Sequence, residues 1–434
     1  MQLGCLACDN EFSNYHVIIF AKVETQKFKA EGGCMPDMLE TKNDFTFVAE
    51  SAGALNILRA VEEPLNAYGP CWCKSGKKWK FCHKDREKRK PLPFGKINAD
   101  RLKHYATGSC QHPQAANTTC SSPDSIKSHT IQRRGGLGAI SENGHVYSTH
   151  KAFANLEKRA GQVDMEKIGV GQASTFPGFC SHHDTELFRP VEQVNSKLDA
   201  NNCFLLSLRA VAYELATKDS QLRSNVAQRE FIDYGISFEN QAIAQNFLYL
   251  KQVGIEQGLK DLTLMKALYD EAFQSQDLGK FSFYSVEFDK VLPFAAAGAF
   301  MPEFDFTGAQ LQEIDVGQPV SQIALNITKL GDNNTCVVFG WFGGANCAAA
   351  RLVDSFKAIP HQEKANSLLA LALEHLENFF CTPSWWDGLT PEVSAKLHQK
   401  IAGGLLARSQ TALVEPGLSA VSANVAGSIE CFSL

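Results

Sequence analysis

The chain has 434 residues, 44% of them apolar, and a formal charge of −5. That length allows two or three domains with real hydrophobic cores, while the longest uncharged apolar run, Val291 to Met301, is broken by Pro293 and far too short to span a bilayer, so no membrane role is expected. No secretory pattern follows Met1, and the N-terminal cysteines include the C-x-x-C pair Cys5/Cys8 and the C-x-C pair Cys71/Cys73 with histidines nearby, which predicts metal ligation in a reducing cytoplasm rather than disulfides.

Residues 1–65 contain Cys5-x-x-Cys8 and two apolar runs, His16–Phe20 and Phe45–Val48, that predict strands. Cys5, Cys8, His16 and Cys34 could form a zinc site, although Cys34 reads equally well as a core residue.

Residues 66–100 hold the run GPCWCKSGKKWKFCHK, in which Cys71 and Cys73 are followed by the adjacent pair Cys82 and His83. Three thiols and an imidazole brought together by one short loop make a tetrahedral zinc shell. The segment is too small and too charged to bury a core, so metal binding must supply most of its folding energy. Nine Lys or Arg between Lys74 and Lys90 face only Asp85 and Glu87, a local charge of +7 on an acidic protein. Such an island suits a phosphate backbone or an acidic protein partner, or else is a solvated linker running into Pro91-Leu92-Pro93. On Cys71, Cys73, Cys82, His83 and the intervening Lys74-Ser75-Gly76-Lys77-Lys78, the run resembles the SEC-C zinc motif. That resemblance implies a zinc knuckle with a basic surface and names no reaction.

Residues 101–195 carry dispersed Cys, His, Gly and Asn with little helical periodicity, as expected of a loop-rich, metal-supported module. Cys110 and Cys120 come first, then His129 in the β-like run Ile126–Ile131, then the C-x-x-H pair Cys180 and His183. On the residues alone, His129, His145, His182 and His183 read as zinc ligands or satisfied polar groups of a scaffold. The layout also resembles an HNH, or treble-clef, nuclease module, with a first cysteine pair, a strand bearing a histidine, and a second ligand pair. The resemblance implies structural zinc on Cys110, Cys120, Cys180 and His183. It makes His129 the general base, His145 the middle polar residue, and Asp184 the ligand of a Mg²⁺ or Mn²⁺ ion at the scissile phosphate. Phosphodiester hydrolysis needs such a base and such an ion, and Arg133 and Arg134 could hold the backbone.

Residues 196–434 predict one mixed domain. Leu205, Leu208, Ala212 and Leu215 recur at helical spacing, and a longer pattern through Ile243, Phe247 and Leu250 should be interrupted at Gly254 and Gly258. The 240–275 helices could form a dimer face; the sequence leaves the oligomeric state open. Ile323–Ile327 and Val337–Trp341 read as strands, and Leu369, Leu373, Leu376 and Phe380 as one face of a helix. Gly340-Trp341-Phe342-Gly343-Gly344 lacks the Lys-Ser/Thr of a phosphate loop and reads as a strand ending in a tight turn. The pair Trp385-Trp386 reads as a packing plug.

The expected fold class is α+β, with zinc-stabilised small modules at the N-terminus followed by a mixed helix-and-strand domain. The expected function is that of a metal-dependent nucleic-acid-processing protein with an HNH-like centre. Accessory modules of this kind suggest a bacterial setting, in defence against foreign DNA. The alternative is a non-catalytic zinc protein that docks nucleic acid, ribosome or an acidic protein.

Overall fold

The computed structural model describes residues 65–115, 120, 124–149, 164–314, 320–331, 334–406, 412–415 and 417–432, together with the strands at 16–21, 38–40 and 45–50. In chain order these form β1 (His16–Ala21), β2 (Met38–Glu40), β3 (Phe45–Glu50), α1 (Trp79–Cys82), α2 (Phe94–Ala106), β4 (Ile126–His129), α3 (Gly136–Ile140), β5 (His145–Thr149), β6 (Met165–Gly169), β7 (Thr175–Phe179) and α4 (Ser181–Glu192). There follow α5 (Ala200–Gln228), α6 (Phe238–Ser275), β8 (Phe281–Phe288), β9 (Phe294–Phe300), β10 (Ile323–Lys329), β11 (Thr335–Phe342), α7 (Ala348–Ala358), α8 (Lys364–His375), β12 (Phe379–Cys381), α9 (Pro383–Asp387), α10 (Pro391–Leu406) and β13 (Val425–Cys431). The fold is α+β. No helix among the described residues is long and apolar enough to cross a membrane.

The chain divides into two compact units, one of residues 1–103, 152–162 and 221–256, the other of 104–151, 163–220 and 257–434. In the first, β1 and β2 flank β3 in an antiparallel sheet, so both strands expected near the N-terminus are present. Cys5, Cys8 and Cys34 lie outside the described residues, so the fourth-ligand role suggested for His16, at the start of β1, has no described partners.

The second unit is built on an eight-stranded antiparallel sheet in the order β13-β8-β11-β10-β9-β12-β5-β6. Its central strands are apolar on both faces, because each face is covered. Val337, Phe339 and Trp341 of β11 join Ile323, Leu325 and Ile327 of β10 in one core with α7 and α8. Cys336, Val338 and Ala324 point the other way, into a core with α4, α5 and the end of α6. That period of two is the strand signature. Beside the sheet, β4 and β7 pair antiparallel as a separate ribbon, with Ser128 opposite Phe176 and His129 opposite Thr175.

Three expectations are corrected. Residues 101–195 are not a self-contained module: β5 and β6 complete the sheet of the C-terminal half, with the half-polar β6 at its edge. The helix through Ile243 is not interrupted, since α6 runs past Gly254 and Gly258. A helical glycine costs only about 1 kcal/mol relative to alanine, and Gly258 packs near the Lys218 side chain, leaving a 38-residue helix intact. Finally, α8 ends at His375, and Phe380 belongs to β12. The helix is buried on every side, so its apolar spacing gave no single stripe to measure. Trp385 and Trp386 do pack into the core beside α7 and α8, and Gly343, with φ 138°, turns the chain just after β11.

Candidate metal centres and the polar site beside them

The knuckle is a tight loop closed by backbone hydrogen bonds. Cys71 N donates to Lys77 O at 2.8 Å and Trp79 N to Gly69 O at 2.9 Å. Lys74 and Gly76 turn it at φ 59° and 74°, so Gly76 serves where an L side chain would be strained. Cys82 ends α1, and His83 follows at its C-cap. The ligand atoms of Cys71, Cys73, Cys82 and His83 lie within 4.8 Å of one another, and all four residues are buried. His83 Nδ1 is 3.2 Å from the sulfurs of Cys71 and Cys82, and Cys73 Sγ is 3.6 Å from Cys82 Sγ. The usual zinc bond lengths put a tetrahedral S···S edge at about 3.8 Å and an S···N edge at about 3.6 Å. The donor set therefore fits, slightly contracted. Donating to Cys73 and Cys82 holds the Cys71 thiol above its ordinary range, while accepting from Cys71 and Cys73 pulls Cys82 below its own. Crowded thiols cannot all ionise alone, and a divalent cation would let them.

Behind His83 stands a buried carboxylate. His83 Nε2 donates to Asp233 Oδ2 at 2.8 Å, and Gln245 Nε2 donates to the same oxygen at 3.0 Å. Arg86 Nη1 donates to Asp233 Oδ1 at 2.6 Å and to Arg229 O at 3.0 Å, and Arg86 Nε to Cys82 O at 2.6 Å. Arg229 in turn donates to the Cys73 carbonyl. The carboxylate fixes the imidazole tautomer so that Nδ1 faces the sulfurs, the usual support of a metal-bound histidine. Burial alone would lower the His83 pKa, but Asp233 and then the thiols raise it to about 10.

These contacts also sort the basic island. Arg86 is a buried structural residue, and Lys77 and Lys88 pair with Glu230 and Asp85 at 2.6 Å. Lys78, Lys80 and Lys84 remain exposed, the first two beside Tyr68 and Phe81, which are themselves 60% and 67% exposed. Lys80 Nζ sits 5.0 Å from the centre of the Tyr68 ring.

The second group assembles as its spacing suggested. Cys110 and Cys120 lie on the loop before β4, Cys180 caps α4, and His183 occupies the first turn of α4. The sulfurs of Cys110, Cys180 and Cys120 are 3.4, 3.4 and 3.7 Å from His183 Nδ1, again near tetrahedral zinc edges. Cys180 N donates to Cys110 Sγ at 3.3 Å. Burial raises the Cys110 thiol to about 11, against the backbone donors of Cys180 and His112. Gln111 N donates to Gly178 O at 2.7 Å and ties the loop to β7. Gly108 permits that approach: a Cβ there would meet Pro177 O at 2.4 Å. His112, missed in the sequence, stacks on His183 at 4.0 Å and 14°.

His129 ends β4 half-buried, with Nε2 3.3 Å from Val170 O. A carbonyl only accepts, so Nε2 carries the proton and Nδ1 keeps the lone pair. Burial lowers the His129 pKa, and the charges of Arg133 and Arg209 add to this against opposing effects of Val170 and Asp184. Asp184 follows His183 directly. Burial raises its pKa, with Arg209 and Ser128 opposing, and its Oδ1 is enclosed without a hydrogen-bond partner. His145 begins β5, and its Nδ1 lies 2.8 Å from Asn143 O. The structure thus brings His129 and Asp184 within electrostatic reach, beside the second group, and leaves His145 on its own turn. Among the described residues, no third cluster of ligand atoms converges.

Sequence reasoning missed Asp233, Gln245 and Arg229, which lie about 150 residues from the knuckle with no local pattern. It also missed Arg209, which had a signal: a lone charge inside the apolar run CFLLSLRAVA. Comparison with family models, with curated proteins and with solved structures gives no match for this chain.

Proposed function

We propose that both clusters are structural zinc sites and that the protein processes nucleic acid, hydrolysing phosphodiester bonds with His129 as general base. The observation that carries this reading is the state of His129. Its Nε2–H is committed to Val170, its Nδ1 lone pair is left over, and burial keeps it neutral near physiological pH. A base must hold that state to take a proton from water. The β4–β7 ribbon and α4, joined at the second zinc group, fix its position. A Mg²⁺ or Mn²⁺ ion would stabilise charge on the phosphate, with Asp184 as its ligand from the protein.

The test is His129→Ala in the zinc-loaded chain, assayed with Mg²⁺ or Mn²⁺ on single- and double-stranded DNA and RNA. Cleavage should fall by 100-fold or more while zinc content and melting temperature hold. In the wild type, the acid limb of kcat/KM should lie below pH 6.5, the ordinary value for histidine. Loss of zinc in the variant, or an inactive wild type under every condition, would refute the assignment.

A second reading, a non-catalytic binding protein, is favoured by the exposed Tyr68 and Phe81 beside the exposed Lys78 and Lys80. Base stacking on aromatics with lysines along the backbone is how single strands are held. Binding without turnover would select it.

A further inference from the structure

Directly after His129, the chain borders a small pocket between the β4–β7 ribbon, α5 and β10. Its polar lining residues include Thr130, Gln132, Arg209, Asn326 and Thr328, and Leu206 is among its apolar ones. Three side-chain atoms on this pocket are enclosed without a hydrogen-bond partner: Thr130 Oγ1, Arg209 Nε and Asn326 Nδ2. Each of these residues is only 2% exposed. Enclosed polar groups of this kind are rare, and each left unmet costs about 1–3 kcal/mol. Here three of them line one space.

Their chemistry defines the occupant. Arg209 Nε and Asn326 Nδ2 only donate, and a threonine hydroxyl can donate. Arg209 also spends Nη2 on Glu192 at 2.5 Å and stacks over the Phe188 ring at 3.9 Å. Its plane is therefore fixed from two sides, and its Nε–H is left for something else. Asn326 is equally fixed, on a strand paired on both edges, opposite Val338 of β11 and Ala297 of β9. Apolar walls strengthen a charge-assisted hydrogen bond.

We propose that this pocket is an oxyanion site, in which Arg209, Asn326 and Thr130 receive one oxygen of a phosphate group. The space admits a single water-sized atom, so one oxygen enters and the rest of the ligand stays outside. The pocket stands on its own geometry. Its role as a seat for a phosphate of the nucleic-acid substrate rests on the function proposed above, and Thr130 beside His129 would supply that link.

The probe is inorganic phosphate on the zinc-loaded full chain, followed by calorimetry and thermal melting. Phosphate should raise the melting temperature saturably in wild type and in His129→Ala. Thr130→Val and Asn326→Leu remove unmet polar groups at nearly constant volume, so they should fold at least as well without phosphate and bind it at least tenfold more weakly. No saturable phosphate effect in wild type, or an effect unchanged in both variants, would overturn the site. A crystal grown in phosphate with only water between Arg209 and Asn326 would do the same. Phosphate binding without cleavage would sink the nuclease reading and keep the pocket; cleavage without phosphate binding would do the reverse.

Discussion

Asp233→Asn is the sharpest perturbation of the knuckle, because it keeps the shape and changes only the chemistry. Asp233 is fully buried and meets donors on both oxygens, His83 Nε2 and Gln245 Nε2 on one and Arg86 Nη1 on the other. An asparagine must turn an N–H towards one side or the other, so a donor faces a donor whichever way it flips. Losing the carboxylate behind a metal-bound histidine lowers metal affinity by about 10–100-fold, or about 1.4–2.7 kcal/mol. Leaving the buried Arg86 guanidinium without its counter-charge costs about 3–5 kcal/mol. Zinc supplies about 10–16 kcal/mol to folded modules of this kind. The metal therefore wins at saturation, and the variant should fold in excess zinc but release it early. Competition against a chromophoric chelator, followed by circular dichroism, measures both effects. A zinc affinity within twofold of wild type would show that Asp233 does not support His83, and the account of the knuckle would fail.

Cys180→Ser should release one zinc per chain and melt the β4–β7 ribbon, whereas His112→Ala, which removes a stacking ring and no ligand, should leave the zinc content unchanged by elemental analysis. The pKa of Glu214 is raised from 4.5 to about 8 by burial, with Lys218 opposing and Glu377 adding. The folded state thus holds a proton that the unfolded chain releases, and stability should fall as pH rises from about 4.5 to about 8. Glu214→Gln should flatten that slope in melts between pH 5 and pH 8.5, and an unchanged slope would clear Glu214 of the effect. Neutralising Lys78, Lys80 and Lys84 together should reduce the salt slope of single-strand binding by about 2, while Arg86→Gln should destabilise the knuckle; equal effects from both would contradict the division between exposed and buried cations.

How much of this was legible depended on sequence distance. Cys71, Cys73, Cys82 and His83 lie within one short loop, so spacing alone revealed the shell. Cys110, Cys120, Cys180 and His183 were legible because a C-x-x-H pair at a helix start has few other uses, even with a long insertion before it. Asp233 was invisible, since nothing in QREFIDYG marks a residue that will support a distant histidine. The strands of β10 and β11 showed as apolar runs because both faces are covered, and β5 did not, because the half-polar run HVYST resembles a loop. Asn326 sat in plain view inside IALNI, but an apolar neighbourhood draws attention to packing rather than to the single amide that breaks it.

The two metal groups differ in when they can form. The knuckle joins ligands 12 positions apart, whereas Cys110 and His183 are 73 apart. Loop closure alone makes the second about 1.6 kcal/mol harder, and β5 and β6 intervene in the chain between β4 and its ribbon partner β7. At a synthesis rate of about 5–20 residues per second, the first shell can close on the ribosome several seconds before the last ligand of the second emerges. A cell short of zinc would then accumulate chains with the knuckle loaded and the His129 region unassembled. Metal supply would set the fraction of complete molecules, without any change in how much protein is made.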